Sequence, residues 1–298
     1  METSTYTIYK GTNTLAGGLL ANRLIPTAST PSIGAFVLLD HIYPVTIEEE
    51  NNASIQGDAA HPHRGMVTLS YVLSGSLAHS DSQGNHAVVQ AGGIQWLKAG
   101  KGILHDERPS VSKHPADMFH SLQFWINLPA ASKKDAADYI GIQAHDVPEL
   151  GLPAHAGKMR LILGEFGCSS ALLETFNKEF IYHIRLNPKS SFVLALKAEK
   201  ECAAFAPAGK VEVNGKGIKN SELLLLGQNT TAVEIKNWNV APVDVFLFGS
   251  EAYVEQVFRE GPFVMNTKAE IAEAYRDFFD QKYGQVSNKP HRGWNNHG

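Results

Sequence analysis

Short runs in which apolar and polar side chains alternate, separated by turn residues, set the pattern of the chain. In the first half such runs cover residues 67–73, 87–90 and 94–97. Ser74-Gly75 and Ser82-Gln83-Gly84-Asn85 separate them with residue types that favour turns. Because a strand places successive side chains on opposite faces, this alternation predicts half-buried β-strands. Short strands with regular turns between them are typical of an antiparallel barrel or sandwich.

The second half of the chain has the same texture. Predicted strands there cover residues 180–186, 191–198, 201–206, 210–213, 222–226, 232–237 and 243–248. Asn214-Gly215 follows one of them, and this dipeptide favours the positive φ angles of a tight hairpin turn. Proline and glycine cluster between residues 130 and 160, where we expect a domain boundary. The sequence therefore predicts an all-β protein with domains at 1–140 and 141–284 and a flexible tail at 285–298.

One segment near the C-terminus has a helical pattern instead. Thr267 and Glu270 form a predicted capping box, in which Thr267 accepts from the Glu270 amide and Glu270 reaches back to the Thr267 amide. Apolar residues then recur at helical spacing, at Ile271, Ala274, Tyr275, Phe278 and Phe279. Gly284 is a suitable stop. The pattern predicts an amphipathic helix at 267–283 that packs its aromatic side on a barrel.

Composition and charge limit the classes of protein to which the chain can belong. Its 298 residues carry a formal net charge of -4 and no basic block, which argues against direct nucleic-acid binding. The sequence contains no apolar run of membrane-spanning length, and its first ten residues have no signal-peptide core. Cys168 and Cys202 form no ligand motif and are expected to be reduced thiols. We therefore expect a cytoplasmic globular protein that does not contact membranes.

Two pairs of good metal ligands stand near the ends of the strand-rich stretch 61–109. His61 and His63 are separated by one residue, and so are His105 and Glu107. On a strand, residues i and i+2 point to the same face, so each pair can present both donor groups in one direction. Three imidazoles and one carboxylate suit a divalent first-row metal such as iron, manganese, nickel, copper or zinc, with room for an exogenous ligand.

Each pair alone has an ordinary interpretation, because a chance His-x-His is common in a chain with 13 histidines. That interpretation is two solvated histidines beside a turn. The second pair, and the strands between the pairs, favour a metal site. Other histidines of the first half are interpreted as surface residues: His79, His86, His114 and His120. The second half contains neither His-x-His nor His-x-Glu, so its barrel is predicted to be metal-free and structural.

The stretch that carries these ligands, and several blocks beyond it, resemble one known family. The matching residues are His61-Pro62-His63-Arg64-Gly65, Gln95-Trp96, Ala99-Gly100-Lys101-Gly102-Ile103-Leu104-His105, Glu107, Pro109, Trp125-Ile126-Asn127-Leu128-Pro129 and Gly261-Pro262-Phe263-Val264-Met265-Asn266-Thr267. In this order they resemble the pirin family of the cupin superfamily. The resemblance implies two antiparallel cupin (jelly-roll) β-barrels with a C-terminal helix. The N-terminal cupin domain would bind the metal, and the C-terminal one would be metal-free.

The resemblance also implies a chemistry. It carries the metal-ligand roles onto His61, His63, His105 and Glu107, with Fe(II) as the metal, and Glu107 would also serve as a catalytic base. Some members of the family are similar to flavonol-cleaving dioxygenases. The implied activity is therefore that of a quercetin 2,3-dioxygenase-like oxidoreductase with a small aromatic, flavonoid-like substrate. The alternative that the family implies is a non-enzymatic, iron-binding regulatory protein that acts through protein partners.

Two positions depart from the family pattern. Val67 stands where pirins usually have a glutamate. That glutamate is not one of the four ligands, so metal binding is expected to survive, and activity is the property at risk. Asp106 stands where a small residue is usual. By alternation along the strand, its side chain is expected to point away from the metal, toward the barrel exterior.

Overall fold

The structure of the protein is a computed structural model, which describes residues 6–47, 57–110, 118–196, 200–227 and 230–286. Strands dominate these residues, and they contain one α-helix. The predicted tail at 285–298 lies outside the described ranges except for Gln285 and Val286. No helix in the described part of the chain has the length and apolar character needed to cross a membrane.

The strands follow the predicted alternation closely. Those of the first half are β1 Thr7–Tyr9, β2 Thr12–Ala16, β3 Leu19–Ile25, β4 Phe36–Thr46, β5 His61–His63, β6 Met66–Ser74, β7 Ser76–Asp81, β8 His86–Gln90, β9 Ile94–Lys98, β10 Ile103–Ser110, β11 Met118–Asn127 and β12 Asp138–Ile142. Those of the second half are β13 Glu149–Gly151, β14 Gly157–Leu163, β15 Glu165–Phe166, β16 Ser169–Ser170, β17 Phe180–Leu186, β18 Ser191–Ala195, β19 Lys200–Ala206, β20 Lys210–Val213, β21 Lys216–Lys219, β22 Glu222–Leu225, β23 Ala232–Lys236, β24 Val243–Glu251, β25 Phe258–Glu260 and β26 Phe263–Met265. The helix is α1 Lys268–Phe279. Strands β17 and β20 coincide with their predictions residue for residue, and the other predicted strands of the second half differ at their ends.

The chain forms two compact units, each assembled from segments that are distant in sequence. Unit 1 comprises Met1–Ile42, Gln123–Ile126 and His145–Val254. Unit 2 comprises Tyr43–Leu122, Asn127–Ala144 and Glu255–Gly298. All of the predicted metal ligands therefore belong to unit 2. The division into domains at 1–140 and 141–284 stays a prediction.

Unit 2 is built on a four-stranded sheet in the order β5-β10-β7-β8. Strands β12, β9 and β6 form part of a second sheet, in that order. The ring of His79 on β7 stacks on that of Tyr139 on β12, with 3.9 Å between ring centroids. The two sheets therefore face each other, and the side chains between them line the interior of the unit.

Unit 1 has an interior filled by apolar side chains. Its sheets have the orders β1-β22-β19-β24-β17-β14-β13 and β18-β23-β20-β21. Side chains from both sheets share one hydrophobic core, among them Tyr182, Phe192 and Val233. Asn214 and Gly215 form the predicted hairpin turn between β20 and β21, with φ angles of 46° and 74°. A filled, apolar interior of this kind suits a structural role.

Helix α1 is shorter than the predicted segment 267–283. Thr267 is its N-cap and accepts a hydrogen bond from the Glu270 amide at 3.1 Å, as predicted. The Glu270 carboxylate reaches a different partner from the predicted Thr267 amide, because its Oε2 accepts from the Asn266 amide and the Thr267 hydroxyl. The helix ends at Phe279, and Gln281 then adopts a φ of 58°, which turns the chain out of the helical path.

Arg64 ties α1 to the strand that carries the first ligand pair. Its side chain is 5% exposed and donates hydrogen bonds to Glu273 Oε1 and Asp277 Oδ2, each at 2.7 Å. Arg64 directly follows β5, so these two ion pairs connect the His61–His63 strand to the helix. Hydrogen bonds from Lys282 and from Arg64 hold the pKa of Asp277 below its usual value.

We expect Asp277→Asn to lower the free energy of unfolding by about 1–3 kcal/mol, because a charge-assisted hydrogen bond to a nearly buried guanidinium is weakened. Urea denaturation followed by tryptophan fluorescence measures this change. Asp280→Asn is the matched control, because the Asp280 side chain is 62% exposed and lies 3.4 Å from Lys282 Nζ. This variant should lower the free energy of unfolding by less than about 0.5 kcal/mol. Because the pKa of Asp277 is lowered on folding, its contribution is present above its unfolded pKa and is lost as the pH falls through its folded pKa. The difference between the two variants should therefore disappear in acid, and equal losses at neutral pH would contradict the prediction.

Candidate metal centre

Strands β5 and β10 pair antiparallel and bring the histidines together. His105 lies directly opposite His61, and Ile103 lies opposite His63. The distances between ring centroids are 4.4 Å for His61–His105, 4.9 Å for His63–His105 and 5.0 Å for His61–His63. One ring nitrogen from each of the three histidines lies within 4.8 Å of the others. The three imidazoles therefore form a cluster that one metal ion can hold together.

Glu107 lies on the same face of β10 as His105, as the alternation of a strand requires. Its carboxylate forms a second cluster with His105 and His79, whose donor atoms also lie within 4.8 Å of one another. His105 is common to both clusters. The structure thus brings the three predicted imidazoles into one group and places the predicted carboxylate beside that group, next to His105.

Hydrogen bonds to main-chain carbonyl groups orient two of the rings. His63 Nδ1 is 3.2 Å from the Pro262 oxygen, and His61 Nδ1 is 3.2 Å from the Ala59 oxygen. A carbonyl oxygen can only accept, so Nδ1 carries the proton in each neutral ring and Nε2 carries the lone pair. This is how metal-ligating histidines are commonly held, with the nitrogen that does not ligate donating to a carbonyl.

The surroundings of His105 fit a metal ion. It is fully buried, and within the described ranges neither of its ring nitrogens has a hydrogen-bond partner. A buried polar atom without a partner costs about 1–3 kcal/mol, and ligation of a metal removes that cost. Burial, with the neighbouring His63 and His61, holds the pKa of His105 well below its usual value, and burial lowers the pKa of His63 to about 3. Both rings are therefore neutral near pH 7, which is the form that binds metals.

Glu107 supplies the negative charge that a cation needs. It is half-buried, and burial together with the charge of Asp106 raises its pKa to about 7. A carboxyl group with a raised pKa gains most from a nearby cation, which stabilises its ionised form. Neutral imidazoles with one carboxylate are a donor set for a divalent transition metal, so the residues present fit the group that the sequence predicts.

His79 contradicts its interpretation as a surface residue. It is a buried residue, 1% exposed, and it lies directly opposite Glu107 in the pairing of β7 with β10. One face of its ring packs on Tyr139, and its Nε2 is 3.2 Å from Asp81 Oδ2. The sequence contains a pattern that could have indicated this burial, because His79 and Asp81 show the same i, i+2 spacing as the predicted ligand pairs. His86, on the neighbouring strand, is exposed as predicted.

Strand register shows which way Val67 points. Thr68 lies opposite Leu97, and Leu97 lies opposite Tyr139, whose ring faces His79. Val67 is one residue earlier and therefore points to the other face of β6, where it is buried. A glutamate in its place would point away from the ligand cluster. Its absence therefore leaves the donor set unchanged.

Asp106 also points to the opposite face from its neighbours His105 and Glu107, as alternation predicts. It is fully buried rather than at the surface of the unit. Arg108 Nε lies 3.3 Å from its Oδ1 and balances its charge. Asp106 therefore acts on the site at a distance, by raising the pKa of Glu107.

Comparisons with known proteins match both halves of the chain. The family model described as Pirin matches residues 19–126, and the model described as Pirin C-terminal cupin domain matches residues 181–284. The Homo sapiens protein named Pirin is 31% identical over 230 residues, which are 75% of this chain and 77% of that protein. A Caulobacter vibrioides protein named Pirin-like protein is 31% identical over 268 residues, 88% of each chain.

A solved structure extends this likeness to three dimensions. It is described as quercetin 2,3-dioxygenase from Acinetobacter baumannii, and it is similar to this chain with a TM-score of 0.84 and 26% identity. The alignment covers 94% of this chain and 97% of that one. With the strands and the single helix of the described residues, this likeness confirms the predicted all-β fold of two cupin barrels with a C-terminal helix.

Proposed function

The chain belongs to the pirin family, and we propose that it is a metal-dependent dioxygenase that cleaves a flavonol such as quercetin with O2. The proposed ligands are His61, His63, His105 and Glu107. Fe(II) is the proposed metal, and manganese, nickel, copper and zinc are the alternatives that accept the same donors. One observation carries the proposal: buried His105, whose ring nitrogens have no hydrogen-bond partner among the described residues, is shared by both donor clusters. The likeness to a structure described as quercetin 2,3-dioxygenase supports the substrate class.

Different residues of the proposed site have different roles in this reaction. When bound, a divalent metal supplies a Lewis acid that lowers the pKa of a substrate hydroxyl group. His63 and His105 are buried, so the inner side of the site excludes water. Glu107 lies beside His105 and is the proposed group that takes the hydroxyl proton at a carboxylate oxygen. His61 is exposed, and its end of β5 is the proposed side of substrate entry.

Aerobic incubation of the Fe(II)-loaded protein with quercetin tests the proposal. We expect loss of the flavonol absorbance together with release of carbon monoxide, both in proportion to the bound metal. Protein stripped of metal by a chelator is the control and should leave quercetin unchanged over the same period. A protein with one iron per chain that consumes no quercetin would contradict the proposal. That outcome would favour an iron-binding regulatory protein that acts through protein partners.

A further inference from the structure

His79 lies inside unit 2 beside the proposed ligands, although the ligand set does not require it. Its ring centroid is 5.6 Å from that of His105, and it faces Glu107 across the β7–β10 pairing. Two contacts fix its ring: the Tyr139 ring stacks on it at an interplanar angle of 6°, and Asp81 holds its Nε2. Its Nδ1 is buried and has no hydrogen-bond partner among the residues that the structure describes.

Asp81 determines which nitrogen of His79 carries the proton. The fully buried Asp81 carboxylate accepts hydrogen bonds from the amides of Gln83 and Asn85 and from the Asn85 side chain, at 2.8–3.1 Å. Several hydrogen bonds to a carboxylate favour its ionised form, which can only accept. His79 Nε2 is therefore the donor in the bond to Asp81, and the neutral ring presents a lone pair at Nδ1.

Two further polar atoms line the same interior. Gln95 Oε1 and the Tyr139 hydroxyl have no hydrogen-bond partner in the described part of the chain. Gln95 is two residues before Leu97, and Leu97 lies opposite Tyr139. The side chains of Gln95 and Tyr139 therefore share one face of their sheet. Buried polar atoms without partners are costly. A hydroxyl-bearing ligand that reaches such an atom would satisfy it, whereas a hydrocarbon would leave it unpaired.

We propose that His79 Nδ1 accepts a hydrogen bond from a hydroxyl group of the substrate at the metal centre, with Asp81 as the residue that positions the ring. The inference rests on the proposed function and narrows its substrate class. The substrate is an aromatic compound with a hydroxyl group adjacent to the oxygen atom that meets the metal. This hydroxyl group donates to His79 when the substrate binds, before Glu107 takes its proton in the reaction. His79 would then distinguish hydroxylated compounds from analogues that lack this group, because the unsatisfied acceptor penalises the analogue.

Two probes that differ by one hydroxyl group test this role: 3-hydroxyflavone and flavone. The protein is loaded with Zn(II), which has no redox chemistry, so fluorescence titration measures binding without turnover. The wild-type protein should bind 3-hydroxyflavone more tightly than flavone. His79→Phe keeps a ring against Tyr139 and removes both nitrogens, and it should weaken 3-hydroxyflavone binding about tenfold while leaving flavone binding unchanged.

The controls separate this role from the alternatives. His86→Phe is the matched variant, because His86 is an exposed histidine on the adjacent strand and should leave both affinities unchanged. Zinc content is measured for every protein before titration. Unchanged 3-hydroxyflavone affinity in His79→Phe would overturn the proposal. Loss of zinc from that variant would also overturn it, because His79 would then be a metal ligand.

A measurement on the wild-type protein avoids dependence on the folding of a variant. In nitrogen NMR of the zinc-loaded protein with labelled histidine, the His79 Nδ1 resonance should shift on addition of 3-hydroxyflavone and stay in place with flavone. The same response to both probes would overturn the proposal. Failure of the proposed function has a different outcome: binding would depend on His79, and the iron-loaded protein would still consume no quercetin.

Discussion

His105→Ala should produce a folded protein that no longer retains a metal ion. His105 belongs to both donor clusters, so its removal leaves neither cluster complete. Loss of groups that only support metal ligands already costs about 10–100-fold in affinity, and loss of a ligand should cost more than about 100-fold. Metal-dependent quercetin turnover should fall in parallel. The cost to folding should be small, because the substitution removes two ring nitrogens that have no partner in the described residues of the metal-free protein.

Metal analysis after dialysis, together with circular dichroism, tests this prediction. The variant should retain the β-sheet spectrum of the wild-type protein and lose its bound metal. His145→Ala is the control, since it removes an imidazole that is 81% exposed and should leave the metal content unchanged. A His105→Ala protein that keeps one metal ion per chain would show that the site lies elsewhere.

Gly65→Ala, which adds a single methyl group, should lower folding stability more than Asp277→Asn or Gly17→Ala. Gly65 has a φ of 79°, and a Cβ there would overlap the carbonyl oxygen of Val264 and lie 2.7 Å from the sulfur of Met265. The backbone cannot easily move, because the Gly65 amide donates to the Gly100 oxygen and its carbonyl accepts from Lys133 Nζ at 2.8 Å. We expect Gly65→Ala to lower the free energy of unfolding by about 3–5 kcal/mol.

Gly17→Ala separates the two causes of this loss, which are backbone strain at a positive φ and steric overlap of the added Cβ. Gly17 also has a positive φ, 57°, but no atom lies within 4 Å of the position that its Cβ would occupy. Only the backbone strain of about 1–2 kcal/mol should remain at that position. Denaturant unfolding of both variants measures the difference. Because Gly65 follows the His63-Arg64 pair, the variant should also bind metal more weakly, and equal unfolding free energies for the two variants would refute the argument.

The sequence predicts those features of the site that depend on neighbouring residues. The i, i+2 spacing of His61 with His63 and of His105 with Glu107 places each pair on one face of its strand, and this follows from strand geometry alone. The N-cap of α1 was predictable for the same reason, because Thr267 bonds an amide only three residues away. Strand alternation also gave the direction of Asp106, although not its burial.

Features that depend on distant residues could not be read from local patterns. The burial of His79 depends on Tyr139, which is supplied by another sheet. The significance of Val67 depends on which face of β6 is turned toward the ligands, and the pairing of that strand with β9 decides this. The Glu270 carboxylate was assigned to the wrong amide, because the residue before the N-cap presents its own amide to it. The burial of His79 and the orientation of Val67 are therefore set by tertiary packing rather than by residue type. The partner of Glu270 is instead a local choice between two neighbouring amides.

The discontinuous make-up of unit 2 has a consequence for how the protein is made in the cell. Its segment Glu255–Gly298 is synthesised after its other two segments. That segment contributes Pro262, whose carbonyl orients His63, and the two carboxylates that hold Arg64. Domains generally fold as units during synthesis once their segments have emerged. The donor groups of the candidate metal centre are therefore held in place only after residues 262–277 have been synthesised, and we expect the candidate site to take up a metal ion only after that stage.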